Sequence, residues 1–319
     1  MEKTESFTTL FESVEYAKTY LQKKYDEIGL SSPVELAFKN GYTFVYYMKM
    51  GDNYFTQADK SPLSIQPVLY FYGLSNWLKG VLLTVDPEYP ATTQVLAHGV
   101  STRKKKKQGY RFLSDEIKVQ KDGFFPYVTE KVFEFKQITG EKYKMRHLLM
   151  CIPELLDYFK TLEKENPLTP VTTVSEKNGQ HYSVPNSLLK NLNLSPRQYE
   201  RMVKEKTGVI LTCREHENNL DIYIDTKKSL KKFSCIPFYE SISQEIYLPN
   251  HLPLYWKLPE IMAHYLLLYN LSMICRYEID WWGELLYSFT NNDLSFIKSF
   301  IQCTSTKVPN LIQSLLFHA

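Results

Sequence analysis

Gln66 to Leu83 is the segment that most limits how this chain can fold. Val68, Leu69, Tyr70, Phe71, Leu74, Trp77, Leu78, Val81 and Leu82 take up most of the circumference a 3.6-residue repeat would give. A helix apolar nearly all round has no solvent face, so other elements must surround it. Pro67 suits its first turn, where a missing backbone donor costs nothing, and Asp86-Pro87 closes it. The expectation is a protein organised around a buried central helix.

The flanking sequence supplies partners for that helix. Thr9 and Glu12 have capping-box spacing, and Leu10, Phe11, Val14, Ala17 and Leu21 follow as one apolar stripe. Ser32-Pro33 and Gly41 bracket a second helical piece, and Gly51-Asp52-Asn53 with Pro62 and Pro67 mark loops. Near the other end Ile261, Tyr265, Leu268, Leu271, Ser272 and Cys275 recur at helical spacing, with His264 on the stripe's edge. Residues 241–319 hold 4 basic, 6 acidic and 13 aromatic residues, which makes them core-formers and not a nucleic-acid surface.

Between these segments the texture changes. Glu116 to Val128 reads as a short hairpin turning at Asp122-Gly123, and Leu148 to Leu162 as a helix. Asn166-Pro167 and Thr169-Pro170 mark a boundary. A second hairpin is expected around Asn178-Gly179, a capped helix start at Ser195-Pro196-Arg197-Gln198, and paired strands at 209–211 and 220–224. The fold class is mainly α. Residues 1–165 and 236–319 are expected to form one helical bundle, with 166–235 as a small α/β insertion.

Composition narrows the function classes. The formal charge of +3 is too near neutral for a dedicated DNA binder, and 12 Gly leave little for nucleotide-cradling loops. The 14% of aromatic residues sit at core spacing and are not interleaved with cations, which favours packing over base stacking. Five cysteines (Cys151, Cys213, Cys235, Cys275, Cys303), odd in number and without a C-x-x-C pair, predict reduced thiols and no structural zinc. The first residues lack an apolar signal core, and the apolar stretch from Ile261 to Trp282 is broken by His264, Asn270, Arg276, Glu278 and Asp280. A cytoplasmic protein without membrane spans is expected.

Three places carry candidate chemistry. His98-Gly99-Val100-Ser101-Thr102-Arg103 leads into Lys104 to Lys107, a run that can bind phosphate or stand as a solvated loop. His98 reads equally as a ligand contact or as a buried imidazole that fixes its loop. Arg276 lies in an apolar helix where an unpaired guanidinium is costly. It either pairs with Glu278, Asp280, Glu284 or a carboxylate from the first half, or it forms an anion site. Cys213-Arg214-Glu215-His216 puts a thiol near an imidazole, but strand alternation sends them to opposite faces. No H-E-x-x-H, G-x-S-x-G or phosphate-loop motif occurs, so no catalytic residue, metal or cofactor is expected.

Two blocks taken together resemble YaaC-like bacterial proteins. One is Phe71-Tyr72-Gly73-Leu74-Ser75-Asn76-Trp77-Leu78-Lys79-Gly80-Val81-Leu82-Leu83 with His98-Gly99 about fifteen residues on. The other is Leu271-Ser272-Met273-Ile274-Cys275-Arg276-Tyr277 followed by Trp281-Trp282. The resemblance singles out Phe71, Tyr72, Lys79, Gly99, Tyr277 and Trp281 as structural motif positions. The first block is also distantly similar to HEPN-type helical bundles, although their ribonuclease R-x(4–6)-H motif is not found. The resemblance implies a non-catalytic regulator acting by protein contact in purine nucleotide metabolism, with IMP dehydrogenase as partner, since genes of such proteins in bacilli neighbour that enzyme's. The alternative it implies is a nucleotide- or RNA-binding protein with weak hydrolytic activity, using His98, Arg103, Lys104, Lys105 and Arg276. A homo-oligomer is compatible with either.

Overall fold

A computed structural model describes residues 7–102, 109–175, 180–224, 237–288 and 291–317. The chain is mainly helical with a smaller antiparallel sheet region, as expected. It divides into two compact units. One comprises Met1–Tyr143 with His264–Ala319, the other Lys144–Ala263. The sequence reading drew its divisions after residues 165 and 235. The compact units change over after residues 143 and 263.

The first unit starts with a 3₁₀ turn, Phe7–Glu12, followed by α1 (Val14–Glu27). The cap is Ser13, whose hydroxyl accepts the Tyr16 N–H at 3.2 Å, and not Thr9 as expected. Next comes α2 (Pro33–Asp59), which runs unbroken through Gly41 and Gly51. Those glycines are packing contacts and not turns. A Cβ at Gly51 would overlap the Trp77 indole, and one at Gly41 would meet the Lys18 stem. The expected central helix is present as α3 (Gln66–Leu83). It is flanked by α2, and Phe71, Leu74, Leu78 and Leu82 are completely buried.

After α3 come β1 (Val100–Ser101), β2 (Glu116–Val119), α4 (Phe124–Lys131) and β3 (Lys142–Lys144). The three strands form one small sheet in that order. The expected hairpin at Asp122-Gly123 is therefore wrong. β2 pairs antiparallel with β1, and Phe124-Phe125 opens a helix. Local signals chose a turn there, but the loop around His98 supplies the partners that make a helix start. The Ala97 and His98 carbonyls accept the Phe124 and Phe125 N–H groups at 2.7 and 3.1 Å.

In the second unit α5 (Met145–Met150) stops at Cys151 and does not run through Leu162 as expected. A 3₁₀ turn from Pro153, α6 (Leu156–Tyr158) and a π turn to Glu163 follow. Pro153 cannot donate, and it steers Ile152 out of the helical region. A six-stranded antiparallel sheet then forms from β4 (Leu168–Ser175), β5 (Gln180–Pro185), β6 (Leu211–Glu215), β7 (Asn219–Ile224), β8 (Tyr239–Glu240) and β9 (Ile246–Pro249). Their order is β6-β7-β5-β4-β9-β8. The β4–β5 and β6–β7 pairings agree with the expected strands, while the Asn178-Gly179 turn lies outside the described residues. Between β5 and β6 lie α7 (Ser187–Leu192) and α8 (Pro196–Thr207). The capping box of α8 between Ser195 and Gln198 is fully formed. Val184, Leu188, Tyr199, Val203, Leu220 and Ile222 form the core of this unit.

The chain then runs through α9 (Glu260–Tyr277), α10 (Ile279–Ser288) and α11 (Asp293–Phe317), the last packing on α3. His264, expected at a stripe edge, is fully buried, with Nδ1 2.9 Å from the Thr304 hydroxyl. No helix among the described residues is long and apolar enough to cross a membrane.

Candidate anion-binding site

α3 is buried along most of its length, and its polar opening is narrow. Tyr72, Asn76 and Lys79, spaced four and three residues apart, share one face and are half-buried. The Lys79 ammonium lies 5.6 Å from the Tyr47 ring centroid, and Tyr54 stacks on Tyr72 at 5.9 Å. Tyr47 and Tyr54 are seven residues apart on α2, so two helices contribute rings to one strip. Burial pulls the Lys79 pKa below its ordinary value.

His98 joins this strip through a loop held by its own backbone. Its carbonyl accepts from Phe125 N–H at 3.1 Å and from the Tyr265 hydroxyl at 3.2 Å. Its ring lies against Phe71 and Tyr269 at centroid distances of 5.1 and 5.4 Å. Gly99, with φ of +77°, lets the chain turn against Gly123 and the start of α4, where a Cβ would collide with Pro126. Burial lowers the His98 pKa, and the charges of Arg276 and Lys79 lower it further. The imidazole is therefore neutral at neutral pH and has two cations for neighbours.

Arg276 comes from the last turn of α9. Nε donates to the Ser272 carbonyl at 3.1 Å, one terminal nitrogen reaches the Met273 sulfur at 3.3 Å, and the guanidinium lies 5.2 Å from the Tyr277 ring centroid. The expected carboxylate partner is not there. Neither Glu278, Asp280, Glu284 nor any other described carboxylate forms an ion pair with Arg276 or with Lys79. Among the described residues the other guanidinium donors have no hydrogen-bond acceptor, and Arg276 is half-buried at the end of α9. Of the positions singled out from sequence, Phe71 lies against His98, Gly99 follows it, and Arg276 and Lys79 act on the imidazole through their charges. Tyr72 lies on the same α3 face, and Tyr277 is exposed next to Arg276. Arg103, Lys104 and Lys105 lie outside the described residues.

Trp281 has another role. It meets Tyr110 edge-on at 4.7 Å, and Tyr110 donates to Asp115 at 2.6 Å. Asp115 also accepts from Asn270 at 3.0 Å, and buried Asp293 takes both Arg111 nitrogens at 3.2 Å and the Phe112 N–H at 2.7 Å. Sequence reasoning missed this clamp. Its carboxylates are isolated in sequence, and the only local hint is an Asn291-Asn292-Asp293 cap before α11.

The thiol–imidazole group of β6 is dispersed as expected. Burial, and then Glu200, pushes the Cys213 thiol up to about 12, while Arg214 covers Tyr223 and His216 meets Asp221 at 3.3 Å. Among the described residues no cluster of three or more His, Cys, Asp or Glu could hold a metal ion.

These features define a class first: a mainly helical protein whose helical unit is interrupted in sequence by an antiparallel-sheet unit, with cations on α3 and α9 that are not ion-paired among the described residues. The chain belongs to the YaaC-like protein family, whose model matches residues 9–316, nearly its whole length. No curated protein and no solved structure matches it.

Proposed function

We propose that the protein is a non-catalytic binding protein for a phosphorylated, base-bearing ligand of the nucleotide class, and that it acts as a regulator through protein contact. One observation carries the reading: half-buried Lys79 and Arg276 both act electrostatically on the neutral His98 imidazole, and neither forms an ion pair with a carboxylate among the described residues. Leaving cations unpaired in a partly desolvated place is unfavourable for the free protein, and an incoming phosphate removes the penalty. The exposed Tyr277 ring against the Arg276 guanidinium, and the half-buried Tyr72 ring on the Lys79 face of α3, which stacks on Tyr54 on one side, offer surfaces for a base. The sequence argument against base stacking applies to the buried aromatics and not to these two. A HEPN-like bundle is the fold reading that accompanies this site.

The test is calorimetric titration of the full chain at low salt with GMP, IMP and ATP, with the matching nucleosides as controls. Saturable nucleotide binding that R276M and K79M each weaken at least about tenfold supports the site. Absence of nucleotide binding, or equal binding of nucleosides, sinks it. An enzyme of purine nucleotide metabolism such as IMP dehydrogenase is the proposed protein partner, on the strength of the family resemblance. Recovery of that enzyme with the tagged protein only when nucleotide is present would tie the two halves of the proposal together.

A second reading is favoured by the neutral imidazole alone. His98 beside two cations has the composition needed to accept a proton from a ribose hydroxyl while Arg276 and Lys79 hold the phosphodiester. Under that reading a labelled single-stranded RNA is cleaved by the wild type and not by H98A. Intact RNA leaves the binding role alone standing.

A further inference from the structure

The solvent side of α2 carries a feature that neither the anion site nor the packing of the bundle uses. Val34, Phe38, Tyr42, Tyr46 and Met50 follow one another at intervals of four residues and are 59, 67, 51, 61 and 43% exposed. They form one continuous apolar ridge about 24 Å long. Large apolar side chains exposed singly need no explanation, but an unbroken ridge of five marks an interaction surface. Lys18 covers one side of two of the rings, 4.4 Å from the Phe38 centroid and 5.5 Å from that of Tyr42. The outer sides stay open.

The order of residues along the ridge says what fits it. Tyr42 is the midpoint, and reversing the ridge about it places Phe38 opposite Tyr46 and Val34 opposite Met50, like against like in size. The charges beside the ridge obey the same reversal. Exposed Glu35 and exposed Lys49 are each seven residues from Tyr42, one before it and one after. Two copies of α2 crossing antiparallel at Tyr42 therefore bring Glu35 of each toward Lys49 of the other, twice, in competition with the exposed 3.8 Å contact that Lys49 makes with Glu12 of its own chain. Rows at four-residue spacing are also the ridges that interdigitate when two helices cross at about −50°. A surface complementary to its own reversed copy is what a two-fold interface requires. The row turns about 40° around α2 at each step, so Phe38, Tyr42 and Tyr46 face the partner at the crossing while Val34 and Met50 flank it. The contact would remove somewhat under about 1,000 Å² over both copies, the size of a weak association.

We infer that the α2 ridge is a homodimer interface in which a second copy of this chain docks antiparallel about Tyr42. The association is weak and reversible, and it does not depend on the nucleotide reading.

Sedimentation velocity of the full chain over about 1 to 100 μM tests this, a range chosen for a small interface. The expected result is a concentration-dependent shift from monomer to dimer. F38D/Y46D should abolish the dimer and leave the circular dichroism melt unchanged, because both side chains are exposed. E35K should weaken association about tenfold by opposing like charges, and E35K/K49E should return it to within about threefold of wild type. Y42C under mild oxidant should give a covalent dimer that the wild type, with its native cysteines, does not. A monomer at every concentration overturns the inference. So does a dimer that F38D/Y46D and E35K leave intact, since some other surface would then hold it.

Discussion

Arg146 and Arg276 are both half-buried arginines at the edge of an apolar core, and they are satisfied in opposite ways. In the sheet-bearing unit Arg146 has a carboxylate for each arm of its fork, Glu163 at 2.6 Å and Glu165 at 2.8 Å. In the helical unit Arg276 has a carbonyl and a thioether. The first arrangement is complete within the chain and reads as structure. In the second, the guanidinium donates to neutral acceptors alone among the described residues, and Lys79 adds a further positive charge near the neutral His98 imidazole. The difference teaches that burial alone does not decide whether an arginine is paired within the chain, and it is the unpaired one that the proposed binding role draws on. Arg111, inside the helical unit, is paired like Arg146, because Asp293 accepts from both its Nε and a terminal nitrogen.

The largest effect is expected where pairing is most complete. D293N removes the charge that holds Arg111 and the Phe112 N–H, and the carboxylate it replaces is fully buried. The substitution should cost about 3 kcal/mol in urea denaturation. A loss below about 1 kcal/mol would show that Asp293 is not a structural partner, and the contrast with Arg276 would collapse. Next comes R276M with ligand present. It should weaken GMP affinity by at least about tenfold while leaving the stability of the unliganded protein within about 0.5 kcal/mol of wild type. Strong destabilisation without ligand would place Arg276 with Arg146, as structure.

The contrast explains what could be seen in the sequence. The buried central helix was legible because burial on all sides leaves an apolar signature in Gln66–Leu83, and the capping box at Ser195 was legible because caps are local. The path of α2 was not. Gly41 and Gly51 look like turn residues, and only the approach of Lys18 and Trp77 shows why they sit inside a helix. The start of α4 was hidden for a similar reason, since its first donors are satisfied by Ala97 and His98, more than twenty residues back. At the site, His98 and Arg276 stood out individually, yet the acid expected for Arg276 is absent. An ion pair between distant residues has no sequence period, so neither its presence at Arg111 nor its absence at Arg276 could be read in advance.

R146M sharpens the comparison from the structural side. Both acceptors keep part of their side-chain surface in solvent, 20% for Glu163 and 38% for Glu165, so the loss should be about 1.5 kcal/mol by thermal denaturation and smaller in high salt. Nucleotide affinity should not change. A change in affinity on R146M would mean that the nucleotide effect of R276M reports general loosening and not a local site.

The smallest effect is a proton. His98 in the folded chain has its pKa below the ordinary 6.5, first through burial and then through Arg276 and Lys79. The unfolded chain therefore takes up the proton more readily, and the stability associated with neutral His98 is complete above pH 6.5 and is lost as pH falls below it. His147 is lowered too, by burial and then by Lys144, so unliganded stability at acid pH reports both imidazoles. Ligand binding separates them. A phosphate beside His98 opposes the two cations and raises its pKa, so binding should take up a fraction of a proton and tighten as pH falls from about 7 to 6. Titrations in two buffers of different ionisation enthalpy measure that uptake, and H98N should abolish it while leaving the loss of unliganded stability at acid pH that His147 contributes. Uptake that persists in H98N would assign the proton elsewhere and remove His98 from the cationic group, leaving Lys79 and Arg276 as the unpaired charges.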